Sequence, residues 1–165
     1  MADEEERDRR RAFVHRHRTA IFGYTRKHDG PSMSVIYYVM DGKDEILVST
    51  MQERSKAKTV VASPKVSLCI LDEQWPLTYL QIYCTAQVDP DLGRATDLMM
   101  RISAVMAGKE MPESARVDVE EMCRRERRVV LRLSPYATFQ TPPRHVHEAE
   151  DLKGLTHWTS SSMPW

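Results

Sequence analysis

The chain has 165 residues and a mass of 19.1 kDa, room for one domain with a short extension. Its 24 Lys and Arg balance 24 Asp and Glu, which excludes the excess positive charge that grips nucleic acid broadly. With 41% apolar and 29% charged residues it has the content of a core-forming globule rather than of a disordered chain, and no apolar run approaches the ~20 residues of a membrane-spanning helix.

Residues 3–11 mix acids and arginines. They read as a solvated lead-in without the apolar stretch of a signal peptide. The span 7–18 has no Pro or Gly and predicts a first helix around Ala12, Phe13 and Val14. The period then changes. Residues 19–25 are rich in β-branched and aromatic types, 27–31 carry turn chemistry, 32–40 read as a second strand, and Asp41-Gly42 reads as a hairpin turn into a third strand at 45–50. Short turns between three strands predict an antiparallel meander. A short helix within 52–62 is expected to stop before Pro64. Strands follow at 65–72 and 77–88, the latter long enough to bend and serve two parts of a barrel. Asp89 and Pro90 read as N-cap and first residue of a helix whose stripe Leu92, Ala95, Met99, Ile102 and Met106 should be buried, with Gly108 ending it. A more polar helix is expected within 113–126, then a last strand over 128–133 and 136–141, bent at Pro135. Pro142-Pro143 closes the domain, so the expected organisation is a lead-in 1–11, a domain 12–142 and a tail 143–165. The tail holds Trp158 and Trp165, and a packed lid and a frayed end are equal expectations for it. Runs of strands with inserted helices predict an α+β fold around a small antiparallel barrel of about six strands.

Three constellations bear on chemistry. Ser49 and Thr50 end a strand, and Arg54, Lys56 and Lys58 follow at a helix start. This is either a phosphate cradle or a solvated cationic face. Trp75, Tyr79 and Tyr83 flank a Pro-containing connector and either stack on a planar ring or fill the core. His15 and His17 near one end, with His145, His147 and His157 near the other, are either metal or haem ligands or solvated side chains. Nucleotide-loop, serine-hydrolase and zinc-protease motifs are missing. Cys69, Cys84 and Cys123 are odd in number and in no CxxC pair, which predicts neither a disulfide framework nor a zinc knuckle and a cytoplasmic setting.

Residues from about Ala12 to Pro142 resemble the pyridoxamine-phosphate-oxidase-like split β-barrel superfamily, and within it the branch of small flavin- or deazaflavin-dependent oxidoreductases. Four segments carry the resemblance. Asp29-Gly30-Pro31 leads into Ser32-Met33-Ser34 and a long strand. Val48-Ser49-Thr50 with Arg54-Ser55-Lys56 stands where the family has its cofactor phosphate site. Ser63-Pro64-Lys65-Val66-Ser67-Leu68 is similar to a "DPRVSL" strand entry, with Ser63 in place of Asp. Tyr83-Cys84-Thr85-Ala86-Gln87-Val88 is similar to a "GTA-x-V" strand, with Cys84 where glycine is usual.

The resemblance implies a homodimer with two cofactor sites at its interface; the charge balance and the lack of a long apolar run add the expectation of no nucleic acid and no membrane as partners. The resemblance also implies hydride transfer between the cofactor and a conjugated substrate such as a quinone, unsaturated lactone, tetrapyrrole or pyridoxal-type vitamer. Ser49, Thr50, Arg54 and Lys56 would hold the phosphate, with Lys58 assisting. Trp75 and Tyr79 would line the ring, and Tyr79 is a candidate proton donor that water can replace. Coenzyme F-420, whose acidic tail favours the cations Arg54, Lys56 and Lys58, is the first expectation and FMN the alternative. A non-catalytic flavin- or tetrapyrrole-binding protein is the reading from another class.

Overall fold

A computed structural model describes residues 2–72, 74, 78–141, 148–154 and 160–165. The α+β expectation holds: four helices flank one curled antiparallel sheet. The strands are β1 (Thr19–Tyr24), β2 (Ser32–Tyr37), β3 (Val39–Asp41), β4 (Glu45–Met51), β5 (Lys65–Asp72), β6 (Thr78–Asp89), β7 (Arg128–Gln140) and β8 (Ser161–Pro164). Their order in the sheet is β2-β1-β5-β6-β7-β4-β3, with β8 added on β7.

The predicted meander is not what forms. The strand expected at 32–40 divides at Tyr38 into β2, which pairs with β1, and β3, which pairs with β4. The two halves thus lie toward opposite ends of the strand path, and the sheet curls to accommodate them. Tyr38 anchors the break. Its N–H donates to the Arg18 carbonyl at 3.1 Å, and its buried hydroxyl donates to the Val14 carbonyl at 2.6 Å. The connector between β3 and β4 is three residues long, Gly42 to Asp44, and Gly42 takes the positive φ of 62° it needs.

The long β6 is shared as expected: one edge pairs with β5 and the other with β7. Tyr83 faces Ala137 while Cys84 faces Pro135, so Tyr136 is the extra residue of a bulge at the predicted bend. Inside the curl, Phe22, Ile46, Val48, Leu68, Ile70, Leu80, Ile82, Leu131 and Leu133 form the main core. Strand β4 is buried on both faces, because Leu47 with Val130 meets a second cluster under a helix.

That helix is α3 (Leu92–Ala107). Its cap is Asp91, which accepts from the Arg94 N–H at 2.7 Å, two residues beyond the predicted Asp89. Ala95, Met99 and Ile102 are buried, but Leu92 is half-buried and Met106 is 60% exposed, so the stripe is covered only in its middle. Helix α2 spans Ser55–Ala62 and α4 Arg116–Arg125, the latter after a 3-10 turn at Glu113–Ala115.

Helix α1 runs from Ala2 to Arg16, so the run 3–11 is helical rather than a loose lead-in. Arg10 within it is 3% exposed. Its guanidinium donates to Glu6 at 2.8 Å, Thr138 Oγ1 at 2.8 Å and Ser161 Oγ at 2.5 Å. The far end of the tail also packs on its own barrel. Trp165 donates from its indole to Asp44 at 2.8 Å and lies beneath Arg11, whose guanidinium is 5.5 Å from the ring. Trp158 and Pro142-Pro143 lie outside the described residues.

Removing the Arg10 head leaves the buried Thr138 hydroxyl without its donor, and leaves Glu6 with only the bond from the exposed Arg9. Arg10→Ala should cost about 2–3 kcal/mol, read as a lowered urea midpoint with an unchanged slope.

Candidate functional site

A cavity of about 330 Å³ opens where the curl brings β2 and β4 together beside α3. Ser34, Val35 and Tyr37 come from β2, Ser49, Thr50 and Met51 from β4, and Met99, Ile102 and Met106 from α3. Arg54 and Lys56, at the start of α2, and Arg128, at the start of β7, supply its charge.

The electrostatics of this cavity favour an anion. Arg54 occupies the N-cap position of α2 without capping it through its side chain, and the first turn holds no acid. The leading N–H groups of a helix lack intrahelical acceptors and carry the positive end of its dipole. Neither Arg54 nor Lys56 forms an ion pair among the described residues. Burial, and next the repulsion of Arg54, lower the Lys56 pKa to about 8. Its ammonium sits 4.8 Å from the centre of the Phe22 ring, a cation held against apolar surface with no counter-ion. The nearest acid in sequence, Glu53, is bonded elsewhere. It takes Lys58 at 3.1 Å and Arg127 at 2.7 Å, and the hydrogen bond from Lys58 chiefly holds its carboxyl below the ordinary range. Ser34 Oγ, on the β2 wall, is buried with no hydrogen-bond partner among the described residues. An oxygen-rich anion would meet all of these demands.

Of the residues selected from the sequence, Ser49, Thr50, Arg54 and Lys56 come together at this cavity. Lys58 does not line it and is tied to Glu53. Tyr79 lies on β6 with its hydroxyl donating to Thr141 at 3.1 Å, away from the cavity lining. Trp75 falls outside the described residues, as do His145, His147 and His157. His17 bonds the Phe13 carbonyl at 2.7 Å and packs, tilted, against the Phe13 ring, and the described residues contain no metal-ligating cluster. Cys69, Cys84 and Cys123 are free thiols.

Arg128 is the contributor that sequence reasoning missed. It donates to Ser49 Oγ at 3.2 Å and to Glu126 at 2.7 Å, and the pairing of Ser49 with Val130 brings it there from 79 positions away. Its only local signal was a basic residue opening the last strand. Val35 and Tyr37 were hidden differently, since nothing in an alternating strand tells which face will be covered.

A family model described as pyridoxamine 5′-phosphate oxidase matches residues 7–141. The chain belongs to that family. The pyridoxamine-phosphate-oxidase-like proteins are a family of flavin-dependent oxidoreductases. No curated protein matches the sequence. Among solved structures, a conserved hypothetical protein from Mycobacterium tuberculosis superposes with a TM-score of 0.69 at 18% identity, covering 79% of this chain and 81% of that one. A protein described as an F420 reductase gives a TM-score of 0.59 at 16% identity, covering 77% and 93%. An FAD-binding protein from Mesorhizobium loti gives 0.55 at 14% identity, covering 77% and 85%. At such identities the likeness is one of fold. No described helix is long and apolar enough to cross a membrane.

Lys56→Ala should weaken binding of a flavin phosphate such as FMN about ten- to a hundredfold, whereas Lys58→Ala should leave it nearly unchanged. Wild-type affinity should fall as pH rises beyond about 8, where Lys56 loses its charge. Without ligand the sign is opposite. The lowered folded pKa means that this group adds stability as pH rises from about 8 toward its ordinary 10.5. Calorimetric titration and thermal melts on both sides of that value check the two signs.

Proposed function

We propose that the chain is an oxidoreductase that holds a flavin-type cofactor by its phosphate, and that its hydride carrier is coenzyme F-420, acting on a small conjugated substrate. The observation that carries this reading is the pair of unpaired cations, Arg54 and Lys56, at the free N-terminus of α2 in a cavity bordered by Ser49, Thr50 and Arg128. When bound, such a cofactor supplies the hydride chemistry, and the protein supplies placement and electrostatics. Arg54 offers a two-pronged grip and Lys56 a point charge. Ser49 Oγ, already an acceptor from Arg128, is oriented by it. Val35, Tyr37, Ile102 and Met106 form the largely apolar wall on which a flat ring could lie. Among the described lining residues there is no carboxylic acid or histidine, so proton delivery falls to water rather than to Tyr79, whose hydroxyl is engaged with Thr141.

FMN is the second reading, and a specific observation favours it. Lys58 is neutralised by Glu53, which removes one of the three cations that an acidic cofactor tail would use. Titration of the purified chain with reduced F-420 and with FMN, followed by fluorescence, separates the two. Saturable binding of F-420 tighter than that of FMN supports the first reading, and the reverse order the second. Absence of binding by either overturns both.

A homodimer completes the proposal. Met33, Val35 and Tyr37 project from one face of β2 and are exposed, Val35 at 76%, directly beside the cavity. A run of outward apolar side chains on an edge strand calls for cover. Sedimentation should show a dimer at micromolar concentration. Val35→Glu should shift it toward monomer and weaken cofactor binding in parallel.

A further inference from the structure

Beside the cofactor cavity lies a larger one of about 710 Å³. Tyr37 and Met106 line both. Arg16 and Arg18, flanking the end of α1, border the larger cavity. Elsewhere the chain's arginines are mostly paired with acids, as in Arg26 with Asp29 at 3.0 Å, Arg94 with Asp89 at 3.0 Å and Arg132 with Glu45 at 2.8 Å. Neither Arg16 nor Arg18 has a carboxylate partner among the described residues; Arg16 only leans on the Phe13 ring at 6.0 Å. Among the described residues one acid lines the cavity, Asp72, and it is engaged. It accepts from the Gln74 N–H at 3.0 Å and stands 3.7 Å from His17 Nε2. The end of α3 also borders the cavity, but the Gly108 and Lys109 amides take up its Ala104 and Val105 carbonyls. The two guanidiniums therefore set the sign of the cavity.

We propose that this second cavity is a carboxylate subsite: Arg16 and Arg18 receive the acidic end of a ligand whose other end reaches the cofactor cavity past Tyr37 and Met106. The inference rests on the proposed function only in taking the neighbouring cavity as the cofactor's. A guanidinium suits a carboxylate because its fork matches both oxygens. The carboxylate has two sources, a conjugated acid serving as acceptor or the acidic tail of the cofactor.

Three probes test this on the full chain: cinnamate, methyl cinnamate and tri-γ-glutamate, titrated into wild type, the double variant Arg16→Gln with Arg18→Gln, and Lys56→Ala. Cinnamate should bind at least about tenfold tighter than its ester, the double variant should erase that advantage, and Lys56→Ala should retain it. The same pattern for tri-γ-glutamate instead of cinnamate also supports the subsite and assigns it to the cofactor tail. Equal affinity for acid and ester with no triglutamate binding overturns the proposal, as does a double variant that binds like wild type. Both arginines are exposed, and the single variants repeat the test should the double variant melt early. If neither F-420 nor FMN binds while the cinnamate pattern holds, the cofactor reading falls and the carboxylate subsite stands.

Discussion

At Tyr38 the chain leaves one end of the sheet and enters the other, and the cavity exists because of that passage. Strands β2 and β4 are separated by four strands along the path, yet both supply walls to one cavity. Only a sheet rolled on itself brings them together. The pin is a buried phenol on the last turn of α1: Tyr38 donates to the Val14 carbonyl, and its backbone N–H to that of Arg18. Burial pushes the phenol pKa well above its ordinary value, which favours the protonated, hydrogen-bond-donating form. The helix, the break between β2 and β3 and the mouth of the site are thus one mechanical unit.

The chain's balanced charge says little about its site, because the site depends on where pairing fails. Most arginines are matched to acids on the surface, contacts that each add little stability but leave no field to attract an anion. Glu53 shows the arrangement at work. It lies next to Arg54 in sequence, yet its carboxylate is drawn to Lys58 and Arg127. Arg127 adopts the left-handed conformation, φ 50°, and its carbonyl receives the Gln52 N–H at 2.9 Å, which ties the turn before α2 to the start of β7. The acid is held by the turn, and the cation beside it is left to the cavity.

How much of this could be read from the sequence follows from the range of the interactions. The long shared β6, the bend near Pro135 and the Gly108 cap rest on neighbours a few residues apart and are found, and the equally local set Ser49, Thr50, Arg54 and Lys56 comes together at one cavity. The meander failed because pairing partners are chosen by the whole core. The strand 32–40 is uniformly apolar enough to continue, and only the distant contacts of Tyr38 show why it divides. The charged run 3–11 looked solvated because most of its residues are; the exception, Arg10, is buried by Thr138 and Ser161, which no local pattern foretells. Arg128 and the cavity-facing role of Met106 belong to the same class, legible only after the sheet has closed.

Strand β7 has a divided flank. Its first half is covered by β4, up to Leu133, and its second half by β8, from Ala137 onward. Those last residues thus occupy hydrogen-bonding positions that would otherwise face water as an open strand edge. A chain clipped before Ser161 would present that edge ready-made, and any extended segment could fill it, including the same segment from another copy. The short terminal strand therefore bears on solubility and on faithful assembly, by keeping the barrel from recruiting strands that are not its own.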